Sequence, residues 1–441
     1  MLSDLIAALA TPPGRSALAV VRLSGQGAFE VARQVLRWSN DRPIVPRQAQ
    51  VAPAFDRAGH SIDQVMVTFF PSPASYTGED LVEFSCHGGL FVPAQLIGVL
   101  HEAGARPAGP GEFTRRAVLN GKLDLLQAEA VGDLIDATTA AQGRGALRQL
   151  HGGLSRRLEA LRQHLTDLLA LLSYDIDFPD EDDGPVDRAS VGRSLDENIG
   201  AVERLLETAL IGERVRRGAL VVLAGRPNAG KSSLFNALLG SERALVTEMP
   251  GTTRDTIEAD LDLAGWPVRL ADTAGLRPSE DRIEQMGIEV SRRYLAAADL
   301  VLLCVETGFA LNAEENKLVA EPRTLLVRTK ADVAAAPGLA VSAMTRVGLD
   351  DLEGALVSRL FETGRDLGDL EPMLTRERHR VSLENALEAL RDATPHLELL
   401  GDVVLGAHHV RRAVASLDEL IGTIDIEEVL GAIFSRFCVG K

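Results

Sequence analysis

Residues 225–232, GRPNAGKS, place two glycines, a lysine and a serine at the spacing G-x-x-x-x-G-K-[ST], which serves phosphate chemistry. Gly225 and Gly230 let the backbone curl so that its N–H groups converge on a polyphosphate. Lys231 adds a point charge that can also act in catalysis, and Ser232 offers a hydroxyl to Mg²⁺. The nucleotide contacts expected here are Asn228, Ala229, Gly230, Lys231, Ser232 and Ser233. A plain glycine-rich turn is the alternative. The apolar run 219–224 before the loop reads as a buried strand, and SSLFNALLG behind it starts a helix whose N-terminus favours anions, so the phosphate site is preferred.

Three more polar clusters follow in the order that a guanine-nucleotide switch requires. Within Gly251-Thr252-Thr253-Arg254-Asp255, Thr253 can place its hydroxyl on the metal. Asp272-Thr273-Ala274-Gly275 ends the strand VRLADTAG; Asp272 can hold the metal's water shell and the Gly275 N–H can meet a γ-phosphate. Thr329-Lys330-Ala331-Asp332 ends the strand TLLVRTKAD, with Asp332 able to accept from the N1–H and 2-amino group of guanine, two donors that adenine lacks. Ser342-Ala343, after the short strand GLAV, supports the base from the other side. The base-reading motif normally begins with Asn, and Thr329 stands there in this chain. One lost hydrogen bond costs about 0.5–1.5 kcal/mol, less than leaving a buried carboxylate without donors against adenine, so GTP is expected over ATP.

These signals need a doubly wound α/β module, and the strands VVLAG, VRLADTAG, DLVLLCV, TLLVRTK and LAVSA alternating with helical stretches supply one over 215–375. Leu154, Leu158, Leu161, Leu165, Leu168 and Leu172 repeat at helical spacing before it, as do Leu195, Ile199, Val202, Leu205 and Leu206. Further helical patterns, 376–398 and 407–435, come after it. The economical reading is one helical bundle, residues 119–214 and 376–441, interrupted by the nucleotide module. Residues 1–118 form a separate small α/β domain, with strands ALAVVRLSG, QVMVTFF and DLVEFSCHGG and helices near 26–37 and 90–104.

Composition sets the outer bounds. A chain of 441 residues, 46% apolar and 25% charged, is globular and long enough for two to four domains. No apolar run is long enough to span a membrane and the first residues lack a secretory signal, so a cytoplasmic location is expected. Cys86, Cys304 and Cys438 are isolated, which excludes a zinc site or disulfide framework as the organising principle; Cys304, inside DLVLLCV, reads as core. A formal net charge of −17 disfavours autonomous tight binding to nucleic acid, so RNA contact needs a local basic patch or a partner.

Taken over its whole length, the chain resembles the bacterial tRNA-modification GTPase family called MnmE or TrmE. The likeness rests on ATPPGR and VRLSG, YTGED and HGG, PGEFTRRA and NGKLDLLQAEA, DFPDED, the nucleotide motifs, and FCVGK at the end. It implies a multidomain fold: an N-terminal folate-binding-like α/β domain that forms a homodimer, a central helical bundle, and a Ras-like P-loop GTPase domain inserted in that bundle. It also implies an FAD-dependent partner of the MnmG (GidA) type. Together the two install an aminomethyl or carboxymethylaminomethyl group on C5 of the wobble uridine of certain tRNAs, drawing on a tetrahydrofolate one-carbon derivative. By motif, Arg22 in VRLSG, Glu83 in DLVEF and Lys122 in NGKLDL are the implied folate contacts, against the plainer reading of surface ion pairs. Lys441 joins them if the tail is exposed and reaches the folate.

Leu276 follows the Asp272 cluster where a Ras-like enzyme carries its water-orienting glutamine, so another device is needed. The resemblance assigns that role to Glu284, otherwise an exposed helix carboxylate; Arg277 is a lesser candidate. It assigns charge stabilisation to K⁺ held by Asn228 with backbone oxygens around Thr247, Met249 and Thr252, although Asn in a loop is also a common turn former. Thr247 and Thr252 therefore count among the GTP-site residues too. Cys438 is either a nucleophile toward the one-carbon unit or a packed small residue. Two other readings compete: a ribosome-assembly GTPase switch without modifying activity, which would ordinarily append a basic RNA-binding domain, and a folate scaffold with a degenerate nucleotide site, against which Lys231, Ser232, Thr253 and Asp272 argue.

Overall fold

The structure is a computed structural model and describes residues 4–177, 187–240, 258–272, 293–334, 336–361, 372–398, 401–422, 433–434, 437 and 439–440. Two compact units divide the chain, one of Met1–Gly132 with Ile421–Lys441 and one of Asp133–Leu420.

The first unit is built on a six-stranded sheet in the order β3-β4-β5-β2-β1-β6. Its strands are β1 (Ile6–Leu9), β2 (Leu18–Ser24), β3 (Gln50–Phe55), β4 (Ser61–Phe70), β5 (Leu81–His87) and β6 (Arg106–Pro107). All neighbours are antiparallel except β1 with β6. Along β4 the buried Val65, Val67 and Phe69 alternate with the exposed Met66, the period of a strand with one covered face. Helices α1 (Ala28–Leu36) and α2 (Phe91–Glu102) contribute Val31, Val35, Leu96 and Leu100 to the same core. Helix α3 (Glu112–Leu119) and the first part of α4 (Leu125–Asp136) complete the unit, where Leu125 and Ala128 pack with Phe434 and Phe437. The tail is tied in as well: Val439 bridges Pro110, and a Cβ on Gly440 would lie 2.1 Å from the Leu9 carbonyl oxygen.

In the second unit, α5 (Ala140–Leu150), α6 (Gly153–Asp177), α7 (Arg188–Glu207) and α8 (Ala209–Arg217) precede a five-stranded sheet. The six leucines read as one stripe are all buried on α6. The sheet order is β11-β10-β7-β9-β8, from β7 (Ala219–Ala224), β8 (Glu258–Leu263), β9 (Trp266–Asp272), β10 (Leu300–Glu306) and β11 (Thr324–Thr329). It is parallel except for the β8–β9 hairpin. With apolar clusters on both faces, its central strands are continuous hydrophobic runs. Helices α9 (Lys231–Leu239), α10 (Ala313–Val319) and α11 (Leu349–Phe361) alternate with the strands, and α12 (Glu377–Leu397) and α13 (Val403–Ile421) follow. Arg391 on α12 pairs with Glu203 on α7, and Arg162 on α6 pairs with Asp418 on α13. Helices from both sides of the α/β module thus pack on one another, which makes that module an insertion in an all-α bundle.

Local differences from the sequence reading have physical reasons. LAVSA is no full strand: it touches β11 through one parallel bridge, Arg328 to Ala340, before turning into the Ser342 loop. The last long helix starts at Val403 rather than 407, and residues 423–432 lie outside the described ones. Strand β3 carries Pro53, tolerated because β3 is the sheet's edge. Among the described residues no helix is long and apolar enough to cross a membrane.

Candidate functional site

Strand β7 is buried along its whole length and delivers the chain to Gly225, whose φ of +137° puts it where only glycine is relaxed. A Cβ there would stand 2.2 Å from the Cys304 carbonyl oxygen on β10, so the turn is both conformationally and sterically reserved. Asn228 (φ 63°) and Gly230 (φ 84°) continue the left-handed turns, and α9 begins at Lys231. The chain has therefore folded a nest of backbone N–H groups directly onto a helix N-terminus, an arrangement that binds oxyanions.

Lys231 is buried, and its Nζ donates to the carbonyl oxygens of Gly225 and Arg226 at 2.8 Å each, so its charge stays inside the loop. Ser232 Oγ donates to Asp272 Oδ2 at 2.7 Å, joining the first turn of α9 to the buried end of β9. A hydroxyl and a carboxylate side by side are hard oxygen donors, the set that Mg²⁺ takes. Ser233 is exposed at the next position of α9.

Thr329, 3% exposed at the end of β11, donates from Oγ1 to the Ala229 carbonyl oxygen at 2.7 Å, while Thr307 Oγ1 donates to the Thr329 carbonyl oxygen at 2.8 Å. The residue that departs from the usual base-reading motif is the one that ties this segment to the phosphate loop. Lys330 takes a left-handed φ of 58° and its Nζ donates to Glu306 Oε2. The exposed Asp332 accepts from the buried Ser342 Oγ at 2.5 Å, a bond that holds its carboxyl below the usual range and keeps it an acceptor. Ala343 packs beside it against the module's core.

Sequence reasoning passed over Arg226, which grips Glu315 with two bonds of 2.8 and 2.6 Å and also donates to the Ala310 carbonyl oxygen. Glu315 in turn closes the capping box of α10 with Asn312. This brace fixes the front of the loop, and only the three-dimensional meeting of residues 89 apart reveals it. Thr247, Met249, Thr252, Thr253, Thr273, Ala274, Gly275, Arg277, Glu284, Cys438 and Lys441 lie outside the described residues.

A second polar site occupies the first unit. Arg22 on β2 and Glu83 on β5 face each other in register and form an ion pair of 2.8 Å, both side chains about one-quarter exposed. The Arg22 guanidinium lies 5.7 Å from the centre of the Tyr76 ring, and the Lys122 stem lies against Gly78. Arg22 and Lys122 therefore border the turn 76–79, Glu83 joins them through its pair with Arg22, and a guanidinium, an ammonium, a carboxylate and an aromatic ring suit a pterin with an acidic tail. Missed from sequence was the network beneath that turn. The fully buried Arg116 bonds to Glu79, Asp4 and Glu112, and Ser24 Oγ reaches both Glu79 and Thr77. Burial pushes the Glu112 carboxyl up, but bonds from Arg106, the Gly109 N–H and Arg116 outweigh it and hold it at about 2.

Comparison with known proteins covers nearly the whole chain. Residues 125–438 match the family model described as the MnmE helical domain, and residues 5–122 match that of the GTP-binding protein TrmE N-terminus. The chain is 38% identical over 461 residues to the tRNA modification GTPase MnmE of Aquifex aeolicus, with 100% of both chains covered. It is 45% identical over 456 residues to that of Phenylobacterium zucineum, again with 100% of both covered. To one from Thermus thermophilus it is 45% identical over 445 residues, covering 100% of this chain and 99% of the other.

Proposed function

The chain belongs to the MnmE family of tRNA modification GTPases, and from that membership we propose a K⁺-stimulated enzyme that spends GTP in modifying C5 of the wobble uridine of certain tRNAs. The observation that carries this reading is the meeting, at the start of α9, of Lys231, bonded back into the loop after β7, and Ser232, bonded to Asp272 at the end of β9. In this reading the loop N–H groups and Lys231 bind the phosphates, and Asp332, kept ionised by Ser342, reads the guanine edge. Mg²⁺ would be held by Ser232 and Thr253, with Asp272 on its water shell; when bound it neutralises charge on the β- and γ-phosphate oxygens.

Thr273, Ala274 and Gly275 would line the γ-phosphate, and Glu284 would orient the attacking water through an intermediate. Asn228, whose exposed amide sits in a left-handed turn, would hold K⁺ with Thr247, Met249 and Thr252, an ion that supplies positive charge in place of an arginine finger. Arg22 and Lys122 beside the 76–79 turn, with Glu83 and Lys441, would hold the tetrahydrofolate one-carbon donor, and Cys438 would be the candidate nucleophile toward its one-carbon unit. The enzyme would act in the cytoplasm as a homodimer through residues 1–118, together with an FAD-dependent partner. The proposed division is then 1–118, 119–214 with 376–441, and 215–375 for the nucleotide domain.

Nucleoside analysis of tRNA tests the proposal. Cells lacking the chain should lose the modified wobble uridine and regain it with the parent gene but not with Asn228→Ala. Purified protein should turn over GTP faster in K⁺ than in Na⁺. Unaltered tRNA would support a ribosome-assembly switch instead, and indifference to the cation would remove the K⁺ role.

A further inference from the structure

The β8–β9 hairpin lies in sequence between the Thr252-Thr253 cluster and the Asp272 cluster, and β9 ends at Asp272, which Ser232 holds. β8 is an edge strand of the sheet and, among the described residues, pairs with β9 alone, so its outer side is not held by a neighbouring strand. At the hairpin's far end Ala264 has a φ of 51° and Gly265 a φ of 89°, and Asp262 Oδ1 accepts from the Gly265 N–H at 2.6 Å. An alanine in the left-handed region is strained, and such strain persists only where surrounding contacts enforce it.

What grips this turn is helix α5. The N–H of the fully buried Ala141 donates to the Gly265 carbonyl oxygen at 2.9 Å. One residue on, Gln142 closes the capping box of α5 with Thr139, and its Nε2 donates to the Arg216 carbonyl oxygen at 3.1 Å, at the end of the connection into the nucleotide module. Arg216 Nε donates to the Thr375 carbonyl oxygen at 2.8 Å, on the connection out of it. The first turn of α5 therefore bonds directly to the hairpin and to the incoming connection, and through Arg216 to the outgoing one. Beside it is a cavity of about 120 Å³ lined by Gln142, Gln149, Val215, Arg216, Met373 and Thr375 among others. A joint with open volume next to it can repack, where a filled core resists.

We propose that the first turn of α5 is the joint through which nucleotide-set movement of the β8–β9 hairpin reaches the helical bundle, with Gln142 as its positioning residue. The inference rests on the nucleotide reading of the central module.

Gln142→Glu is the informative change, because it keeps the acceptor that caps α5 and turns the donor to the Arg216 carbonyl oxygen into a repelling carboxylate oxygen. In the full chain, GTP turnover should stay within about twofold of the parent, while wobble-uridine modification in cells carrying the variant falls about tenfold. Spin labels at Glu314→Cys and Gln163→Cys, in a Cys438→Ser background used for the distance alone, report the joint directly. Their separation should differ between GDP and GDP with aluminium fluoride in the parent and not in Gln142→Glu. An equal difference in both proteins, or parallel loss of turnover and modification, overturns the proposal. A parent that fails to hydrolyse GTP overturns the nucleotide reading beneath it and, with it, the joint.

Discussion

Thr329 shows how a departure from a motif can keep the motif's work. Its hydroxyl spans from β11 to the Ala229 carbonyl oxygen, so Thr329→Val should weaken GDP binding about two- to tenfold by titration calorimetry, the worth of one hydrogen bond of about 0.5–1.5 kcal/mol. Thr329→Ser, which retains the donor, should bind like the parent. Glu112 makes a second prediction. Because its carboxyl is held at about 2 against an ordinary 4.5, its contribution to stability is complete above pH 4.5 and drains away as the pH falls toward 2. Glu112→Gln should lower the stability of the first unit by about 1–3 kcal/mol at neutral pH, and acid melts should lose part of their slope across that window. Thr329 is plain in the sequence, yet its partner lies 100 positions away; Glu112 has near partners, but the Arg116 it bonds also gathers Asp4 from 112 positions away.

At the level of elements, the turn after β7 leaves no room for a side chain. Gly225→Ala would press a methyl into the Cys304 carbonyl oxygen and strain φ, so GTP binding should be lost while the first unit keeps its melting transition. Ala264→Gly acts in the opposite sense, relieving a left-handed alanine and raising the unfolding free energy of the second unit by up to about 1 kcal/mol, readable in a denaturant titration. The strands and helices around the phosphate loop were legible because fixed spacing, glycine geometry and apolar runs all point the same way there. The α6 stripe was legible for the same reason, six leucines on one face. Strand β3 was not, since Pro53 speaks against a strand until its edge position is known; nor was the irregular path of LAVSA, which depends on where Ser342 must reach. The sequence named Arg22 and Glu83 as proposed folate contacts but not as partners, because register between β2 and β5 decides that Arg22 meets Glu83.

For the whole molecule, two units with separate cores and separate candidate ligands predict separable responses to ligand. Guanine nucleotide at about 100 times its dissociation constant should stabilise the second unit by about 2.7 kcal/mol, and a reduced folate should act on the first, each moving its own transition in scanning calorimetry. A net charge of −17 leaves long-range attraction to tRNA to a partner or to a local patch, so the chain alone should bind tRNA weakly and with little salt dependence. The first unit also contains residues from both sides of the second, with Phe434 and Phe437 against Leu125 and Gly440 against Leu9. During synthesis, residues 4–132 leave the ribosome early and must wait, incompletely packed, until every residue of the nucleotide module and bundle has emerged. Translation products that stop after residue 421 and before Phe434 would therefore carry an unfinished first unit beside a bundle already able to close, and quality-control proteases would meet the unfinished part first.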